Sequence, residues 1–524
     1  MPSRRGTRLA SAIALVPFTL LVWRFDWVYD DAYISFRYAW NLANGNGLCF
    51  NPGVDPPVEG YTNFLWVLAL ALVEWLGAAS TVWSRVLSIG CALALLAAVA
   101  RRAAGSDAPP LGRIGAALFF ATLPPLAVWA TSGLETMAFT LALFLTYDQM
   151  ARPDGSPRWV RAGCAAAATS LLRADGAVYA GIVLAAVVVT AARDVRGSVL
   201  RAGLRVGIPT ALVVAAHVAW RYSYYGELLP NTAHTKVSFS ASAVLQGRDY
   251  LLELLLTFPS IPLVLLGSLA LVLCKRSGEE TGLLLVVLGV LAVVVGVGGD
   301  FMAMGRFVVP ALPFACVLLG RQLAALGGPA GRRSLPAGTW LAALVGLSLP
   351  AAWDVHVVPE AVRSRYRLAR FSETNTTQYT LWQTQRQNTE SRAALGRALR
   401  RYTQPGESLV QGAIGAVGYY SRMFLYDKYG LVNREVSRRE QRSEEDRSGD
   451  RPPGHLKGVA PRFFLKYRPT YVEATLVGRE KPAKDGPAVR DGAAHSVRYE
   501  FHELEPDLRY QKKRFLRLER LVFE

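Results

Sequence analysis

The stretch "SAIALVPFTLLVWRFDWVYDDAYISFRYAWNLANGNG" (11–47) places two adjacent carboxylates, Asp30 and Asp31, just beyond an apolar run. Residues 11–23 carry no charge and are typical of a helix inside a bilayer. A carboxylate close to hydrocarbon is costly unless it has a partner or a function. The stretch therefore predicts an uncleaved first membrane helix that leads into an acidic segment at the membrane surface.

Composition divides the chain into two parts. Of its 524 residues, 52% are hydrophobic and 19% are charged, and the charges are unevenly spread. From about residue 8 to 353, long Ala, Leu and Val runs alternate with short polar connectors, whereas Arg, Glu, Lys and Asp are common afterwards. We therefore predict a transmembrane domain at 1–353, with a first outer loop at 25–61, and a soluble domain at 354–524.

Charge and cysteine content exclude several functions. The formal net charge is +18, but most arginines lie in short connectors between apolar runs, where they orient a membrane protein. We therefore expect no nucleic-acid partner. The five cysteines form no CxxC or Cys/His cluster, so neither a structural zinc nor a disulfide framework is expected. The segment "GAIGAVG" (412–418) departs from GxGxxG and leads into no clear helix, so nucleotide binding is not expected.

The apolar runs and the arginines between them predict a topology. Twelve runs are candidate spans, at 8–24, 62–79, 84–100, 113–131, 134–149, 161–172, 177–192, 204–220, 251–273, 281–298, 307–323 and 337–353. The positive-inside rule places residues 5 and 101 in the cytoplasm, so only one of the second and third runs crosses. We predict that 62–79 is re-entrant or interfacial, which gives about eleven spans and an extracytoplasmic C-terminal domain. The alternative, that 62–79 crosses and one basic connector is misplaced, stays open.

This topology gathers the polar motifs on the outer membrane face. They are "YDD", "VEGYTN", "TSGLE", "LLRADG", "YYGELLPNTAHTK" and "GGDFMAMGR". Because polar residues from distant chain positions meet at one interface, the sequence predicts a functional site there.

The acidic pair has three interpretations. Asp30 or Asp31 can accept a proton from an acceptor hydroxyl, and two adjacent carboxylates raise each other's pKa, which suits a general base. The pair can instead share a divalent cation such as Mg²⁺, Mn²⁺ or Ca²⁺, since these ions prefer oxygen ligands. Alternatively, Asp31 is the N-cap of the helix that follows, although a cap explains only one of the two carboxylates.

Other residues of the outer motifs are candidates for substrate binding. A lipid-linked phosphate needs cationic donors, and the candidates are Arg173, Lys236 and Arg306. For the arginines, snorkelling at the interface and local pairing with Asp175 or Asp300 are alternatives. The candidates for binding sugar or acceptor hydroxyls are Glu59, Tyr61, Asn63, Glu135, His234 and Asp300. For the first three, an ordinary surface loop is the alternative.

The segments "DDAYISFRYAWNLANGNGLCFNPG…VEGYTNFLW", "TSGLET", "LRADG", "YYGELLPNT" and "GGDFMAMGRFVVPALP" resemble the mycobacterial terminal β-1,2-arabinofuranosyltransferases and their bacterial relatives. These are membrane glycosyltransferases of the GT-C class. The resemblance covers about residues 20–320 and recurs more weakly at 412–431.

The resemblance implies a fold, a reaction and a location. It implies a polytopic GT-C protein of the bacterial plasma membrane, with a polyprenyl-phosphate sugar as donor and an extracytoplasmic cell-envelope polysaccharide as acceptor. It also implies a catalytic carboxylate in the first outer loop, where Asp30 and Asp31 match. The transferred sugar is then expected to be arabinofuranose. Family members carry a C-terminal outer domain that helps to bind glycan.

The C-terminal part is predicted to be a small α/β unit. Residues 374–402 form a helix with sparse apolar positions, and 442–454 form a mobile loop. Strands are expected at 407–411, 423–427 and 470–475.

These observations favour an inverting glycosyl transfer from a lipid-linked donor, which needs no ATP motif. Two alternatives stay open. A transporter of lipid-linked sugars would have polar residues at mid-membrane and paired repeats, and neither is evident. A glycan ligase or polymerase would share the same topology, and only the motifs argue against it.

Overall fold

The computed structural model describes residues 4–103, 110–152, 156–191, 196–236, 241–275, 277–328, 334–363, 365, 377–439, 458–481 and 495–523. The loop predicted at 442–454 lies outside these residues. The α-helices are α1 (Arg4–Arg24), α2 (Asp30–Ala43), α3 (Phe64–Trp75), α4 (Ser80–Ala103), α5 (Pro110–Thr122), α6 (Pro124–Thr131), α7 (Thr136–Met150), α8 (Trp159–Leu172), α9 (Gly176–Thr190), α10 (Arg196–Tyr225), α11 (Asn231–Lys236), α12 (Ala241–Thr257), α13 (Ser260–Lys275), α14 (Gly278–Gly296), α15 (Leu312–Gly327), α16 (Ser334–Ser348), α17 (Glu360–Arg363), α18 (Gln378–Tyr402), α19 (Gly415–Ser421) and α20 (Arg434–Ser437). The strands are β1 (Ser408–Gln411), β2 (Phe424–Asp427), β3 (Tyr471–Val477), β4 (His495–Glu503) and β5 (Phe515–Phe523).

The chain forms two compact units, each built from three separate segments. The helical unit comprises Met1–Trp27, Ser84–His217 and Ser238–Gln383. The loop–sheet unit comprises Val28–Trp83, Val218–Val237 and Thr384–Glu524. The acidic stretch after α1 therefore belongs to the same unit as most of the C-terminal region. The domain boundary predicted at residue 353 concerns location relative to a membrane and stays a prediction.

Apolar helices dominate the helical unit. Among the described residues, five helices are long and apolar enough to cross a membrane, or up to seven if each of two bent helix pairs is one span. α15 is almost wholly buried and packs against α5, α13 and α14. The predicted total of eleven spans stays a prediction.

Proline breaks two of the predicted spans. The run predicted as a span at 251–273 is not one straight helix, because α12 and α13 meet at an angle of 96°. Pro259 lies at this junction and cannot continue the hydrogen-bonding of a helix. Likewise, the run at 113–131 consists of α5 and α6, which are bent by 59° at Pro124 and Pro125.

α3 occupies the run whose crossing was in question. It has 12 residues, whereas a helix that crosses a bilayer needs ~20. Leu72, Trp75 and Leu76 are exposed at its C-terminal end. These features fit the prediction of an interfacial or re-entrant helix.

Ion pairs join the basic connectors within the helical unit. Asp148 pairs with Arg101 at 2.7 Å and with Arg102 at 3.3 Å. Glu279 pairs with Arg102 at 3.1 Å and with Arg321 at 3.0 Å. Arg102 is buried, and a buried cation needs such partners. These arginines therefore hold neighbouring connectors together.

The loop–sheet unit contains a five-stranded mixed sheet of order β2-β1-β3-β5-β4. β1 runs parallel to β2 and β3, while β5 is antiparallel to β3 and β4. Buried Leu409, Val472 and Leu518 contribute to its core. The predicted helix and three strands are confirmed as α18, β1, β2 and β3, whereas sequence reasoning missed β4 and β5.

Candidate functional site

Asp30 is a buried carboxylate with two partners from the C-terminal region. It is the first residue of α2 and only 5% exposed. Its Oδ1 accepts a hydrogen bond of 3.0 Å from the backbone N–H of Ala416, and its Oδ2 lies 3.2 Å from Arg392 Nη1. Burial raises the pKa of Asp30, while Arg392 and the Ala416 N–H act in the opposite direction.

Asp31 lies in the first turn of α2 and is partly exposed. The interpretation of Asp31 as the N-cap is wrong, because the cap position is Tyr29 and α2 begins at Asp30. Both carboxylates instead occupy the first turn, where negative charge interacts favourably with the helix dipole. Of the two, Asp31 is the more accessible to a substrate.

The oxygen atoms of the acidic pair were predicted to share a divalent cation, and their present partners test that prediction. Both Asp30 oxygens already have protein partners. Within the described ranges, no group of three or more His, Cys, Asp or Glu residues is arranged to hold a metal ion. The surroundings of Asp30 therefore do not fit a cation shared by the pair.

The sugar-binding candidates of the first loop are engaged inside the loop–sheet unit. Glu59 is 2% exposed and accepts a hydrogen bond of 2.6 Å from Arg221 Nε. Burial raises the pKa of Glu59 to about 7 despite this partner. The Tyr61 hydroxyl lies 3.1 Å from that of Tyr225. A role for these residues in sugar binding stays a prediction.

Asn63 and α11 complete the predicted residues of this unit. Asn63 is buried and accepts a hydrogen bond of 3.1 Å from Ser35 Oγ. His234 is partly buried on α11, and Lys236 is the last residue of that helix. Their binding roles remain untested predictions.

The motif "YYGELLPNT" contains a residue, Asn231, that hydrogen-bonds α11 to the C-terminal region. Asn231 Nδ2 donates to the carbonyl oxygens of Gly430 and Leu431, at 2.6 and 2.9 Å. Asn231 Oδ1 accepts a hydrogen bond of 2.6 Å from Ser437 Oγ. One amide side chain thus joins two parts of the loop–sheet unit.

The helical unit brings Arg173 and Arg306 to one aromatic ring. Their guanidinium carbons lie 4.7 Å and 5.6 Å from the ring centroid of Phe307. Arg173 makes two hydrogen bonds to Asp175, at 2.8 and 2.7 Å. Arg306 Nη2 donates to Glu135 Oε1 at 3.0 Å. Local pairing with aspartate is therefore confirmed for Arg173, whereas the partner of Arg306 is Glu135.

Arg306 retains capacity for a further hydrogen bond. Its Nε is buried without a hydrogen-bond partner among the described residues. Asp300, the other candidate from the same motif, is buried, and its Oδ1 accepts from the backbone N–H of Met302 at 3.3 Å. A guanidinium with an unused N–H can bind an additional anion, and its planar fork suits phosphate oxygens. A role of Arg173 and Arg306 in binding a phosphate stays a prediction.

Sequence reasoning missed the residues that hold the first loop in place. Arg392 lies in a helix with many arginines, and nothing in its local sequence distinguishes it. Arg221 follows an apolar run, as many connector arginines do. Tyr225 and Asn231 belong to a quoted motif, which was a usable signal, but their partners lie far away in the chain.

The fold resembles that of a bacterial membrane protein of known structure, and this likeness shows the structural class of the chain. The crystal structure of ArnT from Cupriavidus metallidurans bound to undecaprenyl phosphate has a TM-score of 0.50 and 17% sequence identity; the match covers 81% of this chain and 86% of that one. Together with the apolar helices, this likeness identifies the chain as a polytopic helical membrane protein.

The particular relatives are two enzymes named terminal beta-(1->2)-arabinofuranosyltransferase. The Mycobacterium tuberculosis protein is 30% identical over 230 residues, which are 41% of this chain and 35% of that protein. The Corynebacterium glutamicum protein is 29% identical over 261 residues, which are 44% of this chain and again 35% of that protein. The predicted resemblance is confirmed, and it spans about a third of each relative.

The C-terminal region matches a family model as well. Residues 375–512 match the model described as "Domain of unknown function (DUF8728)". This range includes α18, α19 and β1 to β4, and therefore both partners of Asp30.

Proposed function

We propose that this protein transfers a glycosyl unit, arabinofuranosyl in the favoured case, from a polyprenyl-phosphate sugar to a cell-envelope polysaccharide. The observation that carries the proposal is the cluster of Arg173 and Arg306 around Phe307. The names of the sequence relatives support the reaction, and the undecaprenyl phosphate bound to ArnT supports the donor class.

The arginine cluster is proposed to bind the phosphate of the donor. Arg306 contributes its unused Nε–H, and Arg173 contributes charge at the same ring. Lys236 is a third candidate from α11. Their positive charge stabilises the negative charge that develops on the leaving phosphate as its bond to the sugar breaks.

Asp31 is proposed to be the general base. It removes the proton from an acceptor hydroxyl, whose oxygen forms a new bond to the anomeric carbon. The bond between that carbon and the phosphate oxygen breaks, and polyprenyl phosphate leaves with the electron pair. Attack opposite the leaving group inverts the anomeric configuration. Asp30, whose oxygens already have partners, supports Asp31 in this scheme.

The protein is proposed to act at the outer face of the bacterial inner membrane. A lipid-linked donor requires a membrane enzyme, and the arginine distribution predicts that the acidic segment and the C-terminal region lie outside the cytoplasm. The protein is then an inner-membrane enzyme of the cell envelope whose partners are membrane lipid, donor and polysaccharide.

The test is a transfer assay with purified protein in detergent. Synthetic polyprenyl-phosphate arabinofuranose and an arabinan oligosaccharide are supplied, and products are measured by mass spectrometry. We expect the acceptor to gain one pentose, in a linkage whose anomeric configuration is inverted relative to the donor. Polyprenyl-phosphate hexoses, tested in parallel, distinguish a different sugar specificity.

Two other results would redirect the proposal. Growth of the acceptor by a preassembled oligosaccharide would identify a ligase or polymerase. Movement of a labelled donor across sealed vesicles, without any transfer, would identify a transporter.

A further inference from the structure

The region that matches the domain of unknown function contacts the acidic pair directly. Arg392 on α18 and Ala416 on α19 engage the two oxygens of Asp30, at 3.2 Å and 3.0 Å. All three residues belong to the loop–sheet unit. Asp30 therefore receives both of these partners from the C-terminal region of the chain.

Glycine allows this close approach. A Cβ atom at Gly415 would lie 2.0 Å from the carbonyl oxygen of Asp30 and 2.9 Å from its Cγ. A Cβ atom at Gly418 would lie 2.7 Å from Phe50 Cζ. A side chain at Gly415 would overlap the Asp30 backbone, and one at Gly418 would have to displace the Phe50 ring. Gly415 and Gly418 of "GAIGAVG" are therefore explained by contact between α19 and the first loop.

One face of α2 makes these contacts. Asp30, Tyr33 and Arg37 are spaced three and seven residues apart, so they project from the same side of the helix. The ring of Tyr33 lies 5.6 Å from that of Tyr419. Buried Arg37 donates to the carbonyl oxygens of Gly418 and Met423, at 2.6 and 2.7 Å.

Arg392 differs from the other contacts because it supplies charge from a partly exposed position. Its side chain is 36% exposed, whereas that of Asp30 is 8% exposed. The backbone contacts of Arg37 and Ala416 hold the helices together. Arg392 supplies a cation that pairs with the buried carboxylate of Asp30. A guanidinium held at one carboxylate oxygen favours a single orientation of the Asp30 side chain.

We infer that Arg392 is a positioning residue, through which the region of unknown function orients Asp30 and, with it, the neighbouring base Asp31. The inference rests on the proposed glycosyl transfer. It gives residues 375–512 a role in the active site, in addition to any contact with glycan.

The experiment compares single-residue variants in the transfer assay. Arg392→Gln should lower kcat on the order of 10²-fold, since small displacements of a catalytic group have effects of this size. The KM for the donor should stay near the wild-type value, because a positioning residue acts through Asp30 and not on the donor itself. Arg392→Lys keeps the charge and should restore most of the rate.

Arg386→Gln is the matched control. Arg386 lies on the same helix and is similarly exposed, but it pairs with Glu390 at 2.9 Å. We expect this variant to retain the wild-type kcat. A general loss of charge on α18 would instead affect both variants equally.

A double variant tests whether Arg392 acts through Asp30. If it does, Asp30→Asn combined with Arg392→Gln should be no slower than Asp30→Asn alone. Equal kcat values for Arg392→Gln and Arg386→Gln, or fully multiplicative losses in the double variant, would refute the positioning role. Absence of transfer by the wild type would refute the proposed function itself, and the two failures are thus distinct.

Discussion

Glu59 and Arg221, which are 162 residues apart, form a buried ion pair with an Nε–Oε2 distance of 2.6 Å. Removing one partner of a buried pair leaves an uncompensated charge and costs about 3–5 kcal/mol. We therefore expect Arg221→Met to lower the thermal stability of the purified protein markedly. Combining it with Glu59→Leu removes both charges and should recover most of the loss. If the single variant melts like the wild type, the pair contributes little to stability.

The same pair predicts a dependence on pH. The pKa of Glu59, about 7, lies above its value in an unfolded chain, which is about 4.3. The folded protein therefore holds the proton more tightly, and stability contributed by Glu59 rises as pH falls from about 7 towards about 4.3. Arg221→Met removes the cation that lowers this pKa, so the rise in stability should begin at a higher pH and be larger in total than in the wild type. Melting curves recorded from about pH 9 down to about pH 4.3 measure the difference.

Asp31 is predicted to carry the proton transfer. Asp31→Asn keeps size and polarity but cannot accept the proton, so the transfer rate should fall roughly 10²–10⁴-fold. Asp30→Asn should cost less than Asp31→Asn, on the order of the 10²-fold expected for Arg392→Gln, because it loses the ion pair with Arg392 while an amide oxygen can still accept the hydrogen bond from Ala416. Turnover of both variants with a synthetic donor decides this. Near-normal rates in folded Asp31→Asn protein would place the base elsewhere.

Arg306 is predicted to bind the donor phosphate. A hydrogen bond to a charged group contributes about 1.5–3 kcal/mol, so Arg306→Gln should weaken binding of polyprenyl phosphate roughly 10–100-fold. The control is Arg248→Gln, because Arg248 lies in the same unit but is exposed and pairs with the adjacent Asp249. Titration calorimetry in detergent measures both. Equal affinities in the two variants would remove Arg306 from the phosphate site.

The C-terminal region is predicted to lie outside the cytoplasm. A reporter that is active only in the cytoplasm, fused after Glu524, should give no signal. The same reporter fused within the basic connector at 101–113 should be active and serves as the positive control. A signal from the fusion after Glu524 would reverse the side assigned to every outer motif.

Sequence reasoning succeeded where the signal is local. The apolar runs identified a polytopic membrane protein, and "ESLVQ", "MFLYD" and "TYVEAT" were recognisable as strands. β4 and β5 were missed because "HSVRYEFHE" and "FLRLERLVF" carry several charges, which obscure their alternation. The bend between α12 and α13 was missed because the Leu-rich run at 251–273 conceals Pro259.

The site depended on contacts that no local pattern reveals. The motif "GAIGAVG" was not expected to lead into a helix, yet Gly415 begins α19 and lies against Asp30. The local sequences of Arg392 and Arg221 do not distinguish them from other arginines. Only the folded structure shows that they pair with Asp30 and Glu59, near the start of the chain. The sequence shows which residues the outer motifs contain, but not the residues with which they pair.

The loop–sheet unit combines three segments from well-separated positions in the chain. During biosynthesis, residues 28–83 leave the ribosome before most of the hydrophobic helices are made, and residues 384–524 follow after them. Asp30 therefore lacks its partners Arg392 and Ala416 until the intervening helices have been synthesised. A nascent chain at that stage contains the apolar helices, but the C-terminal residues that pack against Asp30 have not yet been made. The order of translation thus delays assembly of the acidic site until the hydrophobic part of the protein has been delivered to the membrane.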